Sequence, residues 1–385
     1  MAGTLGSEWN FVNAVPPRIL VTGGGTGGHV YPGLAVAAAL GRLVPGVDVR
    51  FAGTRRGLES RLVPAAGYRL YLVPASPLRG LGTAARIMFL VNFVGGVMRS
   101  LVLMTGWRPA VVVGTGGFVG GPVMLAARML GVPCVLQEQN AIPGSANRLE
   151  GRWARRVYLG FGAAARWFRA GTTVVTGNPV REAFNGIPAP ADPVAGENRR
   201  VLVFGGSRGA RTLNLALVEA AGIWRKRGDL ELRIQTGPAA RDEVAAAWEG
   251  AAGPRVAVDG YIEDMPDALS WADLVVSRAG AMTLAELQAA GRPALLVPFP
   301  HATDDHQTLN AEACHEAGAA QVLADGDCDG ATLAAMVDEL LADGDRLRDM
   351  GRAAAGLARP EAAGIIAADL LNLIGHPAGR LAPGD

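Results

Sequence analysis

A chain of 385 residues, half of them hydrophobic, is long enough for two or three domains with their own cores. Its 53 glycines fall at loop positions rather than in a repeat, which is the composition of an α/β enzyme and not of a low-complexity chain. A formal net charge of +1 gives no global reason to expect a nucleic-acid partner.

Residues 1–16 carry no basic segment leading into an apolar run, so they read as a flexible tail and not as a signal peptide. From residue 17, short β-branched runs alternate with helical patterns. A strand is expected at 18–22, a glycine loop at 23–28 and a helix at 32–43. Further strands are expected at 47–52, 70–73, 110–113, 133–137, 157–160 and 173–176. This βα series predicts a doubly wound parallel sheet, with a first domain over 17–180. The stretch 187–198, rich in Pro, Ala and Gly, reads as a linker, and the pattern then restarts. Strands at 200–204, 231–235, 255–258, 274–277 and 294–298 place a second domain over 181–359. A last helix at 362–373, within 360–375, is a candidate to pack back on the first domain. Two such sheets face each other across a cleft, and ligands bind beyond the carboxyl ends of their strands.

The single lysine, Lys226, follows no glycine loop, which excludes a lysine-bearing P-loop and leaves no candidate for Schiff-base chemistry. Cys134, Cys314 and Cys328 are odd in number and lack metal-ligand spacing, so they are expected to be reduced and buried. Asp304-Asp305 and the histidines His301, His306 and His315 form no pattern of metal-ligand spacing, and no metal or other cofactor is expected.

Four loops of similar type follow strands: 22–29, 114–121, 204–210 and 277–286. Glycine lets the backbone approach an anion closely, and the N–H groups of the following helix favour phosphate. Gly23, Gly25 and Gly28 match G-x-G-x-x-G, which is weak alone. A dinucleotide site also requires an acidic residue at the end of the second strand. Here that strand runs into Gly53-Thr54-Arg55-Arg56, while Asp48 begins it. Arg55 and Arg56 keep an NADP reading open as an alternative.

Six ordered motifs resemble one family. They are Gly-Gly-Thr-Gly-Gly-His at 24–29, Glu-Gln-Asn at 138–140, Gly-Asn-Pro-Val-Arg at 177–181, Gly-Gly-Ser-Arg-Gly-Ala at 205–210, Ala-Met-Thr-Leu-Ala-Glu at 281–286, and His306-Gln307 with Asn310-Ala311. Their order and spacing, over about residues 17–375, resemble the MurG family of UDP-N-acetylglucosamine transferases of peptidoglycan synthesis. The resemblance implies a GT-B fold: α/β, two Rossmann-like doubly wound domains facing across a cleft. It implies an inverting hexosyl transfer from UDP-GlcNAc to the C4 hydroxyl of the muramoyl sugar in undecaprenyl-pyrophosphoryl-MurNAc-pentapeptide, converting lipid I to lipid II. By position, it puts Thr26, Gly27 and Gly28 at the donor sugar and acceptor side, and Asn140 at the donor. Arg181 and Ser207 would contact the nucleotide, and Ile262 would hold uracil through its backbone. The helix start Ala281, Met282 and Thr283 would face the diphosphate, with Leu284 and Ala285 also among the substrate-binding residues, Glu286 at the ribose and Gln307 at the GlcNAc ring. Position 137 is Gln where some relatives have His, and position 306 is His where some have Gln.

Inverting transfer requires a base for the acceptor hydroxyl and a stabilised leaving group. His29, directly after the first loop, is the candidate general base, with a brace for the loop as its other reading. The free N–H groups of a helix start can neutralise the leaving diphosphate.

Between Glu59 and Glu138 there is no acidic residue, while seven arginines and many apolar residues lie there. Leu78, Arg79, Arg86, Phe89 and Phe93 are the candidate contacts with an anionic membrane surface. The most apolar stretch, 87–107, is interrupted by Asn92, Arg99 and Ser100, and no membrane span is expected. The resemblance implies a peripheral protein at the cytoplasmic face of the cell (inner) membrane, with cell-wall synthesis and division proteins as further partners. The competing readings are a GT-B transferase with another lipid or small-molecule acceptor, an NADP-dependent oxidoreductase, and a non-catalytic nucleotide-sugar sensor.

Overall fold

A computed structural model describes residues 16–77, 82–188, 198–206, 209–250, 253–300 and 305–376. The tail call at 1–15 and most of the linker call, 189–197, lie outside the described residues.

Two parallel sheets carry the chain. The first holds β1 (Arg18–Thr22), β2 (Asp48–Gly53), β3 (Arg69–Leu72), β4 (Val111–Gly114), β5 (Cys134–Glu138), β6 (Arg156–Leu159) and β7 (Thr173–Val175). Their spatial order is β3-β2-β1-β4-β5-β6-β7. The second holds β8 (Arg199–Phe204), β9 (Leu230–Gln235), β10 (Arg255–Asp259), β11 (Leu274–Ser277), β12 (Ala294–Leu296) and β13 (Ala320–Val322), ordered β10-β9-β8-β11-β12-β13. In each sheet the winding reverses beside the first strand, between β1 and β4 and between β8 and β11. That reversal opens a crevice at the strands' carboxyl ends. β4, β5 and β11 are buried along their whole length, as expected of parallel strands covered on both faces.

The helices of the first domain are α1 (Gly27–Leu43), α2 (Glu59–Ala65), α3 (Thr83–Trp107), α4 (Gly120–Met129) and α5 (Ser145–Glu150). Those of the second are α6 (Arg211–Trp224), α7 (Arg241–Trp248), α8 (Met265–Trp271), α9 (Ala281–Ala289), α10 (His306–Glu316), α11 (Gly330–Ala342) and α12 (Gly344–Leu357). The last helix, α13 (Ala362–Leu373), crosses back to the first domain. Ile366, Leu370 and Leu371 are fully buried there with Leu40 of α1. Burying each of these three side chains contributes roughly 1.5–3 kcal/mol. Asp369 accepts hydrogen bonds from Tyr158 Oη at 2.9 Å and Arg156 Nε at 3.2 Å.

Most strands differ from expectation by a residue or two at their ends. α1 differs more: it begins at Gly27, five residues before the apolar pattern does, so the glycine loop itself forms its first turn. Pro32 sits inside the helix and withholds the N–H that would bond the Gly28 carbonyl. β13 was not expected. It is a three-residue edge strand, too short to show a period.

Candidate active site

The first glycine loop is shaped by a buried carboxylate. Glu59, 1% exposed, accepts from Gly25 N at 2.9 Å, Thr54 N at 2.8 Å and Thr54 Oγ1 at 2.7 Å. A Cβ on Gly24 would stand 2.5 Å from that carboxylate. Gly25 has φ +90°, which favours glycine.

The loop between β4 and α4 packs into the first one. Gly117, at φ +87°, lies so close that a Cβ would stand 2.5 Å from the Gly24 carbonyl oxygen. A Cβ on Gly116 would stand 2.9 Å from His29 Nδ1. These glycines admit another piece of the same chain, and neither Gly116 nor Gly117 lines the cleft. The expectation that 114–121 is one more ligand loop is corrected accordingly.

His29 is thereby fixed. Its Nδ1 lies 3.1 Å from the Thr115 carbonyl oxygen. A carbonyl can only accept, so Nδ1 carries the proton and Nε2 keeps a lone pair. Burial lowers the imidazole pKa, against the Thr115 carbonyl, Gln139 and the Glu59 charge, which raise it. The ring is therefore a neutral proton acceptor at pH 7.

On the facing domain, α9 begins at Ala281 with no side-chain cap, and its first helical bond is Leu284 N to Gly280 O at 2.9 Å. The N–H groups of Ala281, Met282 and Thr283 precede the helical ladder and carry the positive end of the helix dipole. Glu286, one turn on, has its pKa pushed up to about 7 by burial, with Arg181 opposing. Arg181 lies over the Tyr31 ring at 4.4 Å and the Phe184 ring at 4.8 Å.

Together these groups line a cleft of about 560 Å³ between the domains. Thr26, Gly27, Gly28, His29, Asn140 and Arg181 reach it, as do Ile262, Ala281, Met282, Thr283, Glu286 and Gln307. Leu284 and Ala285 do not. Leu284 is 2% exposed in the core beneath α9, and Ala285 lines a separate cavity behind the helix, because their helical phase turns them away. Ser207 lies outside the described residues. Several cleft groups already have partners. Asn140 Nδ2 donates to Glu138 Oε1 at 3.2 Å, and Gln307 Oε1 accepts from Phe299 N at 3.0 Å. Ile262 N donates to Gln235 Oε1 at 2.8 Å, which leaves the Ile262 carbonyl for a ligand unless Gln235 is displaced.

Two family models match: the glycosyltransferase family 28 N-terminal domain over residues 19–159 and its C-terminal domain over 200–365. The UDP-N-acetylglucosamine–N-acetylmuramyl-(pentapeptide) pyrophosphoryl-undecaprenol N-acetylglucosamine transferase of Geobacter metallireducens is 40% identical over 360 residues, covering 92% of this chain and 98% of that one. The enzyme of the same name from Methylococcus capsulatus is 44% identical over 352 residues, covering 91% and 97%. The crystal structure of Acinetobacter baumannii MurG superposes with TM-score 0.71 at 31% identity, covering 93% and 100%. The chain belongs to the MurG family. A UDP-N-acetylglucosamine 2-epimerase at 16% identity and TM-score 0.66 shares the fold alone.

In this MurG-family chain several cleft residues had no sequence signal. Tyr31 Oη and Tyr261 Oη meet at 2.9 Å across the domains, beside an Arg61–Glu263 ion pair of 2.5 Å. Both tyrosines and Gln235 line the cleft, and Gln235 Nε2 also donates to the Gly206 carbonyl at 3.0 Å. Arg55 and Arg56 are exposed and line no part of the cleft, and the GT-B family leaves the NADP reading without support. Asp48 accepts from Trp107 Nε1 at 2.8 Å and from Arg50, so its role is structural.

Of the membrane candidates, Leu78 and Arg79 lie outside the described residues. Arg86 is exposed. Phe89 and Phe93 are half-buried against each other, with ring centroids 5.9 Å apart, and Phe93 packs on the core. The outward face of α3 is instead Ile87, Val91, Val94, Met98 and Val102, each more than half exposed. Their spacing is one helical stripe, and the phenylalanines fall on the inner side of it. By length and composition alone the segment Ala85–Trp107 is long and apolar enough to cross a membrane. Its other face, however, packs on α4 and buries Val97, Met104 and Trp107 in the domain core.

Proposed function

We propose that this chain transfers GlcNAc from UDP-GlcNAc to the C4 hydroxyl of the muramoyl sugar in lipid I, with inversion, giving lipid II for peptidoglycan synthesis. One observation carries the reading beyond the names of relatives. A histidine whose Nδ1–H is turned to a carbonyl, leaving Nε2 as its acceptor nitrogen, and a helix N-terminus without a side-chain cap line one cleft. These are the two groups a direct displacement requires.

His29 Nε2 takes the proton of the acceptor hydroxyl as its oxygen attacks the anomeric carbon. The bond from that carbon to the diphosphate breaks, and its electron pair leaves on the β-phosphate oxygen. The N–H groups at the start of α9 and the Arg181 guanidinium receive that charge. Glu286 accepts from the ribose hydroxyls, Ile262 holds uracil, and Asn140 and Gln307 hold the sugar, with Ser207 adding a hydroxyl to the nucleotide. The outer stripe of α3, with Arg86, rests on an anionic membrane surface and brings the cleft to a polyprenyl-linked acceptor. On this reading the enzyme works at the cytoplasmic face of the cell membrane, with other cell-wall and division proteins as partners.

The test supplies UDP-GlcNAc and a lipid I analogue, with and without EDTA, and follows UDP release and the disaccharide product. Transfer that EDTA leaves unchanged is expected. UDP-GlcNAc binding without any product would overturn the reading.

A further inference from the structure

A chain of buried amides runs from the cleft to the crossover between the domains, and it has one allowed direction. The Thr115 carbonyl takes His29 Nδ1–H at 3.1 Å and Gln139 Nε2–H at 2.7 Å. Gln139 Nε2 also donates to Gln137 Oε1 at 2.6 Å. Gln137 then has its nitrogen to offer, and donates to Asn178 Oδ1 at 3.0 Å. Asn178 Nδ2 donates to the Gln139 carbonyl at 2.9 Å and to the Ala281 carbonyl at 3.5 Å. Backbone carbonyls at both ends can only accept, so they orient every amide between them. Gln137 is fully buried and Gln139 is 3% exposed, so water does not compete, and a missing link leaves buried groups unpaired. Neither Gln137 nor Asn178 lines the cleft.

We propose that Gln139, Gln137 and Asn178 are positioning residues for His29. They hold the Thr115 carbonyl where it takes the Nδ1 proton, which leaves Nε2 as the proton acceptor. They also moor that geometry to Ala281, the first residue of α9, so the base and the leaving-group site share one frame. This rests on His29 being the base. Gln139 acts doubly: its interaction with the imidazole favours the protonated ring that forms during transfer.

Gln137 is the informative position because it must accept and donate at once. Leucine can do neither, and histidine can do both. Gln137→Leu should lower kcat about tenfold to a hundredfold, part of the ~10²–10⁴ that a positioned base contributes, with KM for UDP-GlcNAc held within about threefold. Gln137→His should restore most of it. Nitrogen-15 NMR of imidazole-labelled protein should show His29 as the Nδ1–H tautomer in the parent and as a mixture in Gln137→Leu. If Gln137→Leu does not fold, Asn178→Asp serves, because a carboxylate cannot donate to the Gln139 and Ala281 carbonyls. An unchanged tautomer in the variant that folds would overturn the proposal. So would a kcat loss that Gln137→His fails to restore. The tautomer is read without turnover. An active His29→Ala enzyme alongside a shifted tautomer in Gln137→Leu would therefore sink the base reading and leave the amide chain standing.

Discussion

Glu286 makes donor binding depend on pH in a direction that can be worked out. Burial in the cleft pushes its carboxyl up to about 7, and Arg181 only partly opposes this. To accept hydrogen bonds from the ribose hydroxyls it must be ionised, so donor binding and proton release are coupled. With a pKa of about 7, the ionised fraction rises from about 9% at pH 6 to about 91% at pH 8, so UDP-GlcNAc should bind about tenfold more weakly at pH 6 than at pH 8. UDP-GlcNAc is the right probe because its diphosphate is esterified at both ends and has no proton that titrates near neutrality. Calorimetry at pH 7 in buffers of different ionisation enthalpy should register about half a proton released per donor bound. Glu286→Gln should bind more weakly and lose most of this pH dependence. His29 and His306 also line the cleft. The measurement is therefore repeated in His29→Ala and His306→Gln, where the dependence should persist. No proton release in the parent, or the same pH dependence in Glu286→Gln, would refute the assignment of Glu286 to the ribose.

His29→Ala should lower kcat about 10²-fold to 10⁴-fold while UDP-GlcNAc binding by calorimetry stays within about threefold. Because burial lowers the His29 pKa, the parent at saturating UDP-GlcNAc should hold its kcat below pH 6.5 before the acid limb falls, and turnover of His29→Ala near the parent's would remove His29 as the base. Gly117→Ala combines a left-handed backbone with a clash on the Gly24 carbonyl. It should cost about 2–5 kcal/mol and lower Tm by roughly 5–15 °C. Gly41→Ala in α1, where an added Cβ meets nothing within 4 Å, should be neutral or stabilising in the same scan. Val91→Asp with Met98→Asp on the exposed stripe of α3 should change stability by less than about 1 kcal/mol. The pair should abolish co-sedimentation with anionic vesicles, and undiminished binding would remove this face from the membrane contact.

Much of the cleft was legible because its glycines, its histidine and the start of α9 are residue types that only certain backbone geometries require. The same property misled at 114–121. A glycine admits whatever approaches it, and at Gly116 and Gly117 the approaching atoms are His29 and Gly24 rather than a ligand. Glu59 shows the converse. It is a single carboxylate in an ordinary helix start, yet Gly24, Gly53 and Gly57, spread over 34 residues, are all glycine because their missing Cβ atoms would overlap its side chain. That relation is a matter of three-dimensional distance, and no spacing in the chain encodes it. Tyr31 and Tyr261, 230 residues apart, are hidden for the same reason. On α3 the information was local and could have been used. Positions 87, 91, 94, 98 and 102 recur at helical spacing, while Phe89 and Phe93 fall between them, so helical phase assigns the phenylalanines to the core side. The amide chain behind His29 stands between these cases. Glu-Gln-Asn at 138–140 marks the segment, but the direction of its hydrogen bonds follows only once two backbone carbonyls, at Thr115 and Ala281, are in place at its ends. The chemistry assigned to one histidine is thereby set by the meeting of three segments that the chain holds far apart.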